Sequence, residues 1–250
     1  MKKFASKSYF EEYYKKRDVV SRYDAKRTTS LKQRVIRTLE QASIVPYLRA
    51  NSRILEAGVG TGHMTKVLMR YGDVTGIDTS TVMLNQARKN VDESVKLQVA
   101  SILDIPFVSG DFDTAVTFRV LMHFDEKTVV RALEQLSSSI RPGGRVIFDI
   151  PACSIIKRLA YIFKVHVLGH KDVYNYQYSR FRIHKMAKRA GLTVERLRAL
   201  DHLALTIPIY FLARLAPTNW AQKKIERLES ACFSLGAFNT RWVVICKKKK

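Results

Sequence analysis

The sequence predicts an α/β fold: a mostly parallel sheet with helices on both faces. Three observations lead there. Residues 53–80 spell a strand, a glycine turn, a helix and a second strand ending in an acid, the order of a nucleoside-binding unit in open α/β sheets. Short apolar runs and helical-period segments keep alternating as far as residue 150, the pattern of strands joined by crossover helices. With 250 residues and 46% hydrophobic side chains, the chain can bury one large core.

The elements follow in order. Apolar residues at 31, 35, 36, 39, 44, 45 and 48 have helical spacing, interrupted near Pro46. This helix should pack against the sheet just ahead of the first strand, which begins at Ile54 and Leu55. Gly58, Gly60 and Gly62 form a tight turn into a helix over 64–71, with Val67, Leu68 and Tyr71 inward and Gly72-Asp73 as its stop. Strand two runs from Val74 to Asp78, and Thr79-Ser80 can cap the helix that holds Met83, Leu84 and Ala87. Strand three is 95–100, strand four opens at Phe112, and a helix over 126–140 is stopped by Arg141-Pro-Gly-Gly before strand five at 146–150. Beyond 151 come a mixed apolar and basic helix over 153–168, Tyr174, Tyr176 and Tyr178 on a loop, and a basic helix over 181–190. Strand six at 192–200, a helix over 220–233, a last strand at 241–246 and a disordered lysine tail complete the chain. That makes seven strands.

The ligand of the glycine turn is also legible. The spacing is Gly58-x-Gly60-x-Gly62 rather than GxGxxG, and His63 and Met64 stand where a dinucleotide site needs a third, closely packed glycine. Glu56, just before the turn, repels phosphate and favours a cation. S-adenosylmethionine is a nucleoside without phosphate that carries a sulfonium and an ammonium, so it fits this pattern better than NAD. Asp78, about twenty residues on, can accept hydrogen bonds from the ribose diol.

Glu56-x-Gly58-x-Gly60-x-Gly62, Phe112-Asp113, the Val120-Leu-Met-His-Phe124 run and Arg141-Pro-Gly-Gly144 together resemble the class I S-adenosylmethionine-dependent methyltransferases, in particular small-molecule enzymes of the type 11 and type 25 groups. The resemblance covers residues 50–150 well and the flanks loosely. It implies a Rossmann-like seven-stranded sheet with an N-terminal helical lid over 1–37 and a methyltransferase domain over 38–250. That domain has an insertion at about 151–177 and an apolar and basic segment at about 201–235. It also implies roles. Thr79, Ser80 and Met83 flank the adenine, although Met83 alone would more often be core. Asp104 accepts from the adenine amine, Leu103 or Ile105 covers the ring, and Phe118 and Arg119 run beside the methionine moiety. Tyr14, Tyr23, Arg119 and Tyr174 are candidates to touch substrate. His123, after strand four, is the first choice of base for removing an acceptor proton, and Asp149, after strand five, the second. His123 can instead simply pack or bond its loop. No metal is required, because a sulfonium methyl is already activated.

Charge is distributed unevenly. Of the formal +22, residues 1–37 carry 12 basic and 4 acidic side chains, residues 38–150 carry 12 and 13, and residues 151–250 carry 20 and 5. The nucleoside-binding stretch is neutral, and the flanks hold the excess. Such flanks suit an anionic membrane surface, a nucleic acid or a phosphorylated substrate, or are solvated surface. No recognisable RNA-binding module and no Asn-Pro-Pro-Tyr motif is present, so the expected acceptor is a small or lipid-like molecule, with an RNA methyltransferase or a non-catalytic cofactor-binding protein as the other readings. Residues 203–215 are apolar but too short to span a bilayer, and Pro208 interrupts them; they fit a pocket wall or a membrane interface. Cys153, Cys232 and Cys246 have no CxxC spacing and the first twenty residues hold no apolar signal region, which predicts a cytoplasmic protein, peripheral at the membrane if the flanks bind lipid.

Overall fold

A computed structural model describes residues 31–153, 176–201, 218–231 and 239–249. The expected lid through residue 30, the insertion helix and the apolar stretch at 203–215 lie outside them.

Seven strands form one sheet in the order β3-β2-β1-β4-β5-β7-β6. The elements are α1 (Leu31–Ile44), β1 (Ser52–Ala57), α2 (Thr65–Leu68), β2 (Gly72–Asp78), α3 (Thr81–Arg88), β3 (Lys96–Val99) and β4 (Phe112–Thr117). They continue with α4 (Glu126–Ser139), β5 (Ile140–Pro151), α5 (Arg180–Arg189), β6 (Leu192–Leu200), α6 (Thr218–Ala231) and β7 (Arg241–Lys248). The first five strands pair in parallel, while β7 runs antiparallel between β5 and β6. Chain order reverses between β1 and β4. Their carboxyl ends therefore splay apart at a topological switch point, the place where open α/β sheets hold ligands.

Strand alternation sends side chains to two cores. Leu55, Ala115, Val146, Phe148 and Val244 pack under α4 (Val129, Leu133, Leu136) and α5 (Ile183, Met186). Ile54, Val116, Ile147, Val243 and Ile245 pack under α1 (Val35, Leu39, Ile44) and Ile225 of α6. Fully burying an aliphatic side chain of this kind contributes about 1.5–3 kcal/mol, so both faces are firmly covered. Local signals set the helix starts. Asp125 accepts from Thr128 N at 2.8 Å, Ser80 from Met83 N at 3.3 Å and Ser179 from Arg182 N at 3.3 Å.

Three details depart from the sequence reading. Helix α2 is shorter than 64–71, because the chain tightens at Arg70 N–Val67 O (3.2 Å) and Tyr71 N–Leu68 O (2.8 Å). The Arg-Pro-Gly-Gly segment belongs to β5 as a bulge: Phe112 pairs with Ile140, and Thr114 already with Arg145. Asp113 pins it, accepting from Arg53 N at 2.7 Å and from Arg141 Nε. The lysine tail is not all tail either. Lys247 and Lys248 continue β7, and Lys248 Nζ donates to Ile140 O at 2.7 Å.

Gly72 opens β2 where a Cβ would lie 1.9 Å from Ser52 O. Gly72→Ala must push β1 and β2 apart, and a loss of at least about 1–3 kcal/mol is expected, measurable by urea denaturation.

Candidate functional site

The glycine turn is built from left-handed backbone. Gly58, Gly60 and Gly62 have φ of +84°, +56° and +84°, a region that favours glycine. A Cβ on Gly58 would meet Val120 Cγ2 at 2.2 Å, whereas one on Gly60 would meet no protein atom within 4 Å. Gly60 thus presents bare backbone to open space, as close approach of a ligand requires. The turn is tied to β2 by Gly58 N and Val59 N, which donate to Ile77 O at 2.7 and 3.2 Å. Asp78 closes the unit: Oδ2 accepts from Gly60 N at 2.8 Å and Oδ1 from Ser80 N at 2.9 Å. Burial raises the Asp78 carboxyl above its ordinary range, opposed by those backbone bonds and one from Thr79.

Beside this turn lies a cleft of about 420 Å³, open solvent included. Its walls come from β1 and the turn (Glu56, Gly58, Val59, Thr61, His63, Met64), the end of β4 (Phe118, Arg119) and α1 (Arg37, Glu40, Gln41). Glu56 is buried and accepts from Thr65 Oγ1 at 2.6 Å. Burial pushes its pKa up to about 8; the Thr65 bond opposes this and the charge of Asp78 adds to it. Helix α1 is stitched to the turn by Arg37 Nη1 and His63 Nδ1, 3.3 Å apart, and by Gln41 Nε2, which donates to His63 O at 3.3 Å.

Two of the wall residues, Glu40 and Arg119, interlock with Asp149 and Arg241. Asp149 accepts from Arg119 N (2.6 Å) through Oδ1 and from Arg241 Nη1 (2.6 Å) through Oδ2. Glu40 Oε1 accepts from Arg241 Nη2 at 2.7 Å and Arg119 Nε at 3.0 Å, while Arg119 Nη1 donates to Gln33 Oε1 at 3.2 Å. Burial works against the Arg241 cation, but Glu40 and Asp149 outweigh it and hold its pKa above the ordinary value. Arg119 has φ +61°, uncommon for a side-chain-bearing residue, and its N–H is held there by Asp149.

This geometry corrects the reading of Asp149 as a second base: both oxygens are committed and the group is buried. It also turns the Arg119 side chain toward α1 while leaving it on the cleft wall. His123 sits in a 3-10 turn, Leu121–His123, leaving the same edge; it is half-buried, and burial holds its pKa below the usual value. It does not line the cleft described here. On the adenosine side, Thr79 is half-buried, Met83 and Leu103 are buried and Asp104 is exposed. Tyr14, Tyr23 and Tyr174 lie outside the described residues. Sequence reasoning missed Glu40, Arg37, Gln41, Thr65 and Arg241. Glu40 had a signal, an acid one turn past Ile36 on a face that is otherwise largely apolar; Arg241, opening a strand 92 residues after Asp149, had none.

A mostly parallel, reversing sheet with a glycine turn, a bonded acid after β2 and a cleft at the switch point defines a nucleoside-binding α/β domain. Residues 54–144 match the family described as methyltransferase domain. An uncharacterised methyltransferase of Geobacillus sp. strain WCH70 is 31% identical over 101 residues, 40% of this chain and 47% of its own length. The ubiquinone/menaquinone biosynthesis C-methyltransferase UbiE of Geotalea daltonii is 30% identical over 133 residues, 47% of this chain and 54% of its own. The chain spans about half the length of these curated relatives. Among solved structures, magnesium protoporphyrin IX methyltransferase of Synechocystis PCC 6803, with S-adenosylhomocysteine bound, superposes with a TM-score of 0.66 at 15% identity, covering 98% of this chain and 100% of that one. A SAM-dependent methyltransferase of Methanosarcina mazei gives 0.57 at 15% identity, covering 83% and 97%. Residues 54–144 are thus similar to a methyltransferase domain, and the sheet has the fold of these solved methyltransferases, one of them described as SAM-dependent and another holding S-adenosylhomocysteine.

Removing one member of a buried ion network leaves its partners uncompensated, at about 3–5 kcal/mol. Arg241→Leu, which strands Asp149 and Glu40, should lose stability on that scale in chemical denaturation, far more than the exposed-pair change Arg182→Leu.

Proposed function

We propose that this protein transfers the methyl group of S-adenosylmethionine to an oxygen or carbon atom of a small or lipid-like acceptor. The observation that carries the reading is the charge pattern of the cleft. Arg37, Arg119, Glu40 and Glu56 line the cleft beside the glycine turn. An amino-acid zwitterion attached to a nucleoside has the matching charges. The residues present fit the cofactor: Glu56, Gly58, Gly60 and Gly62 with Phe118 around the methionine portion, Asp78 at the ribose, and Thr79, Met83, Leu103 and Asp104 at the adenine.

When bound, the cofactor supplies a methyl group on a positively charged sulfur, activated for in-line displacement. The chain's own residues must then align the acceptor and exclude water. His123 is the proposed proton acceptor, since it leaves the same sheet edge and burial disfavours its charged form. Tyr14, Tyr23 and Tyr174 are proposed to face the acceptor. An acceptor of lipid-like character is supported by the apolar composition of residues 203–215 and by the quinone-pathway name of the Geotalea relative.

Titration calorimetry with S-adenosylmethionine tests the site. Gly60→Arg should abolish the binding heat. Asp78→Ala, losing charge-assisted bonds of about 1.5–3 kcal/mol each, should weaken affinity by roughly ten-fold or more, and an unchanged affinity would remove Asp78 from the site.

Glu56 offers an independent reading. With its pKa at about 8, it is mostly protonated at neutral pH, and a cation brought into the cleft favours the carboxylate and lowers that pKa. Cofactor binding at pH 7 should therefore release a proton, giving a binding enthalpy that changes with the ionisation enthalpy of the buffer. In Glu56→Gln this buffer dependence should disappear.

A further inference from the structure

Helix α5 has two unlike faces. Ile183, Met186 and Ala187 are buried in the core, and Ser179 caps the start. The outward face holds Phe181, 77% exposed, together with His184, Lys185 and Lys188. The ten residues contain five lysines and arginines and no acid. A large aromatic side chain thus stands in water on a face that is otherwise cationic.

Its place in the fold gives it meaning. Tyr178 Oη donates to Phe124 O at 3.1 Å, which ties the entry to α5 onto the turn that carries His123. The Arg180 guanidinium stacks 4.7 Å over Trp242, whose strand partner is Ile150 at the carboxyl end of β5. Arg182 lies 3.9 Å from Glu126 in the first turn of α4. The start of α5 is therefore at the ligand edge of the sheet. Two other exposed apolar residues come from the segments joined there: Met122 at 41% and Tyr176 at 37%. The nearby acids are engaged, Asp125 as the cap of α4 and Glu126 with Arg182 and Arg189.

Apolar side chains beside lysines and arginines match the boundary of an anionic bilayer, where rings and thioethers enter the headgroup layer and cations meet phosphate. A single-stranded nucleic acid would instead call for an array of aromatic rings along a groove, and Met122 offers no stacking face. We propose that the chain docks on an anionic phospholipid bilayer through Phe181, Met122 and Tyr176 with Lys185 and Lys188, and so presents its ligand edge to an acceptor dissolved in that bilayer. This rests on the reading of the protein as a methyltransferase for a lipid-like acceptor.

Flotation of the full-length protein with vesicles tests it. The protein should float with vesicles of phosphatidylcholine and phosphatidylglycerol, not with phosphatidylcholine alone, and binding should fall steeply with salt. The combined variant Phe181→Ser, Lys185→Glu, Lys188→Glu should lower the partition coefficient at least ten-fold with circular dichroism and S-adenosylmethionine affinity unchanged. No partition into anionic vesicles, equal partition of the variant, or salt-sensitive binding of single-stranded RNA in place of vesicles would overturn the proposal. Calorimetry on the same preparation separates the two levels: cofactor binding without vesicle binding rejects the docking surface alone, and absent cofactor binding rejects the reading beneath it.

Discussion

Four interlocked charges, two acids buried and two arginines half-buried, hold the working edge of this molecule together. Glu40 comes from α1, Arg119 from the end of β4, Asp149 from β5 and Arg241 from β7. Each belongs to an element that has no covalent reason to meet the others at that point. Two anions and two cations bring the set close to neutrality, which is the condition under which burial of ions is tolerable. The set does more for geometry than for net stability. It fixes the left-handed backbone at Arg119, seats α1 across the cleft, and thereby settles which side chains of α1 face a ligand.

Around that anchor, the glycine turn and Asp78 behave as a self-contained device. The acid accepts from the turn's own Gly60 N–H and from Ser80 at the start of the next helix, so the loop has its shape before any ligand arrives. Pre-organisation of this kind lowers the ordering cost of binding. Glu56, one strand away, is held by Thr65 in a site dry enough to disfavour its charge. Desolvation stored in a carboxylate becomes attraction for whatever cation relieves it.

What the sequence showed and what it hid divide by range. The turn glycines, Asp78, the Ser80 cap and the two-faced patterning of the strands depend on residues within a few positions of each other, and local stereochemistry made them legible. The same applies to the seven strands and to the helices of both faces. Asp149 was legible as a position, the carboxyl end of β5, but not as a role, because its role is decided by Arg241 in another strand and Arg119 in another loop. The Arg-Pro-Gly-Gly bulge reads as a plain turn because Pro and Gly carry the same local signal in both; only the pairing of β5 with β4 tells them apart. Lys247 and Lys248 look like tail by composition, and it is the two neighbouring strands that make them a ladder.

Strand β7 lies between β5 and β6 although it is the last strand in the chain, and its first residue is Arg241. During synthesis the elements bearing Glu40, Arg119 and Asp149 emerge well before it. Until then the nascent chain holds two acids with one cation on the incomplete sheet face, and a gap where a central strand will go. The nucleoside turn can be shaped early, but the seat of α1 cannot. Competence of the cleft is thus a late event on the ribosome, and a nascent chain interrupted before β7 would expose the flanks of β5 and β6 as unpaired strand edges, a ready target for chaperones or for pairing with another chain.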